Sequence, residues 1–166
     1  MTRKAAIIGG GVIGGGWAAR FLLNGWNVSV FDPDPEAERK IGEVMANARA
    51  ALPALSDVPM PAEGRLSFAG TITEAVEGAE YIQESVSERL ELKHRVFAQI
   101  QQASHGVPIG SSTSGFKPSE LQQNAWLTSS CDADLLFHQK PEDKWQIAFD
   151  SLGFDINMLS PVSGNA

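Results

Sequence analysis

The chain has 166 residues, enough for one domain, or one domain and a fragment. Its hydrophobic share of 43% suits a packed core, and its net charge of −7 argues against nucleic acid or an anionic membrane surface as the main partner, because both call for basic patches. A single cysteine, Cys131, rules out a disulfide framework within one chain, and His94, His105 and His138 lack metal-ligand spacing, a pattern suited to a reducing cytoplasm.

An apolar run predicts a first strand over residues 4–8. Directly after it come Gly9, Gly10, Gly11, Val12, Ile13 and Gly14, and then a helix is expected over residues 12–24, with Gly25 suited to its end. Gly9, Gly11 and Gly14 have the G-x-G-x-x-G spacing. In that motif the first glycine permits a tight turn, the second lets backbone approach a pyrophosphate, and the third lets helix and strand pack closely. The helix N-terminus adds free N–H groups and the positive end of its dipole. A second strand, residues 27–31, ends at Asp32. An acid there hydrogen-bonds the adenosine ribose hydroxyls and repels a 2′-phosphate, which favours NAD over NADP. The alternative is a plain glycine turn, with Asp32 capping the segment that follows.

Pro35 predicts the start of the next helix, with Ile41, Val44, Met45, Ala48 and Leu52 on one face and Pro53 as its stop. A proline-rich loop follows, residues 55–64. Then come a short strand (65–69), a short helix (71–77), a buried strand (81–85), a helix carrying Leu92, Val96 and Ile100, a strand over 107–111, and a helix from Pro118. This alternation predicts an α/β fold of Rossmann type: a doubly wound, mainly parallel sheet. Ligands of such sheets lie beyond the carboxyl ends of the strands, where Asp32, Glu88 and residues 111–114 would converge. No apolar run reaches the length of a membrane span, and residues 1–4 do not read as a secretory signal.

Four separated segments carry a resemblance: Gly-Gly-Gly-Val-Ile-Gly-Gly-Gly-Trp-Ala-Ala-Arg-Phe, Phe-Asp-Pro-Asp-Pro-Glu-Ala, Gln-Glu-Ser-Val-Ser-Glu-Arg-Leu-Glu-Leu-Lys and Gly-Ser-Ser-Thr-Ser-Gly-Phe-Lys-Pro-Ser-Glu-Leu. Together they resemble the 3-hydroxyacyl-CoA dehydrogenase superfamily, and within it the branch that oxidises carnitine to 3-dehydrocarnitine with NAD. The resemblance covers residues 1 to about 125 and implies an NAD-binding domain there. It implies that residues 9–14 cradle the pyrophosphate and Asp32 the adenosine ribose. It places Glu88 and Lys93 near the nicotinamide half, and Ser112 at a cofactor-contacting position where the acyl-CoA enzymes commonly carry asparagine. Ser114 matches the serine that hydrogen-bonds the reacting hydroxyl. Without the resemblance, Ser114 reads as a local turn residue, and Glu88 and Lys93 as a solvated helix face.

After residue 125 the pattern breaks. The superfamily continues with a strand ending in His-Pro-Phe-Asn-Pro, whose histidine is the general base, and then with a helical domain that completes the substrate pocket and usually a homodimer. Neither segment is found here, and His138 lies in a segment that does not match. No arginine follows Arg95. Residues 126–166 therefore read as a divergent or foreign tail, from a frameshift, an insertion or a gene-model error, on a truncated domain. The expected function is the NAD-binding domain of a 3-hydroxy-acid oxidoreductase with impaired catalysis, since loss of a general base costs about 100- to 10,000-fold. A non-catalytic dinucleotide-binding module, the corresponding domain of a fatty-acid 3-hydroxyacyl-CoA dehydrogenase, and a flavin-binding reductase are the other readings. The expected setting is cytoplasmic, with a small-molecule substrate and neither nucleic acid nor membrane as partner.

Overall fold

The computed structural model describes residues 2–56 and 58–121, all within the first of two compact units, Met1–Cys131. The expected tail, with Cys131 and His138, lies outside the described residues. Ten elements alternate along the chain: β1 (Lys4–Ile8), α1 (Val12–Leu23), β2 (Asn27–Phe31), α2 (Ala37–Ala51), β3 (Leu66–Phe68), α3 (Ile72–Val76), β4 (Tyr81–Glu84), α4 (Leu90–Ala103), β5 (Ile109–Ser111) and α5 (Pro118–Leu121). A short 3-10 turn, Leu52–Leu55, follows α2.

The strands form one sheet in the order β3-β2-β1-β4-β5, with every pair parallel. This is the order of a Rossmann sheet, with its reversal between β2 and β4 around β1. Strand β1 is the pivot: Ala6 sits opposite Ser29 of β2 and Ile82 of β4. Parallel strands need covering on both faces, so their sequences run apolar rather than alternating. Strand β4 is buried at all four positions. On one face, Ala6, Ile8 and Ile82 pack with Ile72, Ala75 and Val76 of α3 and Val96 and Ile100 of α4. On the other, Phe21 of α1 stacks obliquely on Tyr81 of β4 and on Trp26, with ring centres 5.4 Å and 5.1 Å away.

Local sequence sets the element ends. Helix α1 closes at Asn24, where Trp26 N–H bonds back to the Phe21 carbonyl and Gly25 takes a φ of +81°. Thr71 caps α3 by accepting the Glu74 N–H, while the Glu74 carboxylate accepts the N–H of Gly70. Helix α2 begins at Ala37, two residues after the expected Pro35, because Asp34 first closes a turn by accepting the N–H groups of Glu36 and Ala37. Pro53 does not end the helical path at once; it sits inside the 3-10 turn. No helix among the described residues is long and apolar enough to cross a membrane.

Candidate functional site: a dinucleotide crevice

The carboxyl ends of β1, β2, β4 and β5 open toward one crevice. The loop after β1 is its centre. Gly9 has a φ of +102°, and a Cβ there would lie 2.6 Å from the Ser85 carbonyl carbon and oxygen, so only glycine fits between β1 and β4. A Cβ at Gly14 would lie 1.8 Å from the Gly9 oxygen. Helix α1 therefore docks against the turn that starts it. Gly11 differs from both: its φ is −67°, and an added Cβ would meet nothing within 4 Å among the described residues. The space above Gly11 is open where the other two positions are filled.

The N–H groups of Gly11, Val12, Ile13 and Gly14 have no acceptor among the described residues. Val12 and Ile13 are 85% and 59% exposed, an unusual state for apolar residues opening a half-buried helix. Free donors, the positive end of the α1 dipole and open space above Gly11 together fit a pyrophosphate.

Asp32, at the end of β2, faces this loop. Its Oδ2 accepts the Gly10 N–H at 2.5 Å and its Oδ1 accepts the Asp34 N–H at 2.8 Å. Each oxygen keeps a lone pair for another donor. The nearby cations are engaged: Lys40 with Asp34 and Arg39 with Glu36 and Glu43. Hydrogen bonding to Lys40 and to the Glu36 N–H holds the Asp34 carboxyl below its ordinary value. No arginine of this segment is left to receive a 2′-phosphate.

Across β1, the ends of β4 and β5 carry a second polar group. Lys93 on α4 is fully buried, with its Nζ 2.9 Å and 3.0 Å from the two carboxylate oxygens of Glu84 and 3.4 Å from Glu88 Oε2. Glu88 Oε1 accepts the N–H groups of Ser114 (3.1 Å) and Gly115 (2.8 Å). Ser112 turns to the other side, where its Oγ accepts from Gln83 Nε2 at 2.9 Å and lies 2.8 Å from Ser85 Oγ. Ser114 is exposed. The crevice thus gathers Gly9 to Gly14 and Asp32 on one side of β1, and Glu88, Ser112 and Ser114 on the other. Lys93 lies beneath, out of reach of solvent. His94 is spent on the α4–α5 junction, with its Nε2 2.6 Å from the Glu120 carbonyl. Among the described residues no group of His, Cys, Asp and Glu could hold a metal ion.

Glu84 is a buried acid that sequence reasoning passed over. It reads as the end of an apolar strand, and its one signal is an acid in a buried stretch with a lysine on the following helix.

Burial pushes the Glu88 carboxyl up, but the N–H groups of Gly115 and Ser114 and the Lys93 charge outweigh it and hold it below its ordinary value. The native state therefore favours the ionised form. The contribution is present above the ordinary glutamate range and is lost as pH falls through the lowered native value. In a pH titration followed by amide NMR, the Gly115 N–H should move with a midpoint below that of an unperturbed glutamate. A midpoint at or above it contradicts this assignment.

A family model described as 3-hydroxyacyl-CoA dehydrogenase, NAD binding domain, matches residues 4–131. The chain belongs to this family. It is similar to an L-carnitine dehydrogenase/betainyl-CoA thioesterase of Ruegeria pomeroyi, 72% identical over 122 residues, which are 73% of this chain and 25% of that protein. An L-carnitine dehydrogenase of Mesorhizobium japonicum is 60% identical over 123 residues, 74% of this chain and 34% of that protein. The chain thus spans between a quarter and a third of the length of these curated relatives. Among solved structures, an NAD+-dependent 5-formyl-3-hydroxy-2-methylpyridine 4-carboxylic acid 5-dehydrogenase aligns with a TM-score of 0.65 and 32% identity, over 74% of this chain and 40% of that one. The Escherichia coli 3-hydroxybutyryl-CoA dehydrogenase shares the fold, with a TM-score of 0.59 and 24% identity, over 75% of this chain and 27% of that one. The family match includes residues 126–131, beyond the point where the motifs of the sequence break off.

Proposed function

We propose that this chain is the NAD-holding part of an oxidoreductase for a short 3-hydroxy compound, carnitine being the compound named in its curated relatives. The observation that carries this reading is the open cup above Gly11, with its free N–H groups, set beside a carboxylate that faces it. In this reading Gly9, Gly10, Gly11, Val12, Ile13 and Gly14 hold the pyrophosphate through backbone. Asp32 receives the adenosine ribose hydroxyls on its free lone pairs. Glu88 and Ser112 border the nicotinamide side, with Lys93 acting through Glu88. Bound NAD supplies a hydride acceptor. Ser114 is the side chain offered to the substrate hydroxyl, as a hydrogen-bond partner and not as a base, because a serine hydroxyl takes no proton at neutral pH. The setting is a cytoplasmic one.

A second reading is a dinucleotide-binding module without turnover, favoured by the placement of His94, whose Nε2 is held at the Glu120 carbonyl and not turned to Ser114. Carnitine-dependent NADH formation at ordinary enzyme rates excludes it.

Calorimetric titration of the full chain with NAD and NADP tests the binding reading. NAD should bind more tightly than NADP. Asp32→Ala should weaken NAD about ten- to a hundredfold, the value of hydrogen bonds to a charged group, and narrow the preference. Absence of NAD binding, or indifference to Asp32→Ala, sinks it.

A further inference from the structure

Beneath the β4 and β5 ends lies one cation holding two carboxylates. Lys93 Nζ meets both oxygens of Glu84, the Glu88 carboxylate and the Val86 carbonyl, the last at 3.3 Å. Glu84 holds the end of β5 and the loop after β4, and Glu88 holds the loop after β5. Glu84 Oε2 accepts from Ser111 Oγ at 2.5 Å, and its Oε1 accepts the Val86 N–H at 2.7 Å. Glu88 takes the Thr113 hydroxyl at 3.4 Å and the N–H groups of Ser114 and Gly115. Ser111 Oγ also reaches Thr113 Oγ1 at 3.1 Å.

A buried ion pair is weak evidence for stability, because desolvation offsets most of the attraction and an apolar pair of equal volume often serves as well. Its connections say more. Apart from Lys93 itself, the partners of the two carboxylates lie in the loop after β4 and in residues 111–115. Strand alternation then puts Ser111 on the ion-pair side and leaves Ser112 to Gln83 and Ser85. In a sheet of this order the two nucleotide halves lie on opposite sides of the reversal. With the adenosine half at Asp32 and the pyrophosphate at the cup, the other half extends over β4 and β5.

We propose that Glu84 is a positioning residue for the nicotinamide half: paired with the buried Lys93, it fixes Glu88 and residues 111–115 so that Ser112 and Ser114 are held at that end of the crevice. The proposal rests on the NAD-binding reading. It assigns Glu84 a part in ligand discrimination without any contact to the ligand.

The test is calorimetric titration of the full chain with NAD and with ADP-ribose, which keeps the adenosine half and pyrophosphate but lacks the nicotinamide ring. Glu84→Gln and Ser111→Ala are compared with the unaltered chain. Each should weaken NAD by about tenfold, the effect of one charged hydrogen bond. Each should leave ADP-ribose within about twofold. A purely structural role would lower both ligands together. Should Glu84→Gln fail to fold, Ser111→Ala, which removes one hydroxyl, carries the test. Equal losses for the two ligands, or no loss for either, overturn the proposal and leave NAD binding standing. An unaltered chain that binds neither ligand overturns both.

Discussion

Lys93→Met should cost about 3–5 kcal/mol of folding stability, the largest single effect expected in this domain. The reason is the company Lys93 keeps. Glu84 is fully buried, and Lys93 supplies the charge opposite both of its oxygens. Without that charge the carboxylate either stays ionised in a poor dielectric or takes up a proton. Both outcomes penalise the folded state. Adding Glu84→Gln to Lys93→Met removes the second charge and should recover much of the loss, since an uncharged pair carries no uncompensated ion. Urea denaturation of the single and double variants measures the difference. A double variant as weak as Lys93→Met alone would mean that packing, and not charge, is what Lys93 provides.

Gly14→Ala should cost about 3 kcal/mol or more, at the upper end of overpacking penalties. A methyl group at this position would lie 1.8 Å from the Gly9 carbonyl oxygen, 3.0 Å from its carbon and 3.3 Å from Ile7 Cγ2. Two of these neighbours are backbone, so no flexible side chain can yield. The first turn of α1 would have to move off β1. The Gly9 turn would move with it, and NAD affinity would fall along with stability. A thermal melt and a titration on the same variant check both. A variant with unchanged melting would show that α1 and β1 are not in the contact described.

How much of this was legible in the sequence varied with the physics behind each feature. Strands β1 and β2 fall at the expected residues because an apolar run framed by glycine turns leaves little choice of register. The motif glycines were legible because each meets a separate steric demand. Helix α2 was harder. Pro35 signalled a helix start, but the side chain of Asp34 turned the chain first, and side-chain turns compete with helix at such positions. Strand β5 was expected from residue 107 and begins at Ile109. Pro108 has no N–H to give a neighbouring strand and offers only its carbonyl, to Ile82. Glu84 was legible only as an acid in a buried stretch, with nothing to show its role. Its role depends on Lys93 reaching up from α4 and on Ser111 arriving from β5, two contacts that no local pattern encodes. Glu88 and Lys93 were drawn to the site by resemblance, whereas the residues alone suggested a solvated helix face. The fold puts Lys93 in the interior instead, tied to the same carboxylate that holds the Ser114 loop.

The cup itself is tested most directly at Gly11. Its backbone conformation suits any residue, and a Cβ there would touch nothing among the described residues. Gly11→Ala should therefore fold normally, within about 1 kcal/mol of the original after the change of helix cap. The same methyl group would occupy the space assigned to the pyrophosphate. Calorimetric titration of Gly11→Ala with NAD, on protein whose melting is unchanged, should show affinity reduced by about tenfold or more. Undiminished NAD affinity in that folded variant would contradict the placement of the pyrophosphate, and with it the account of the crevice.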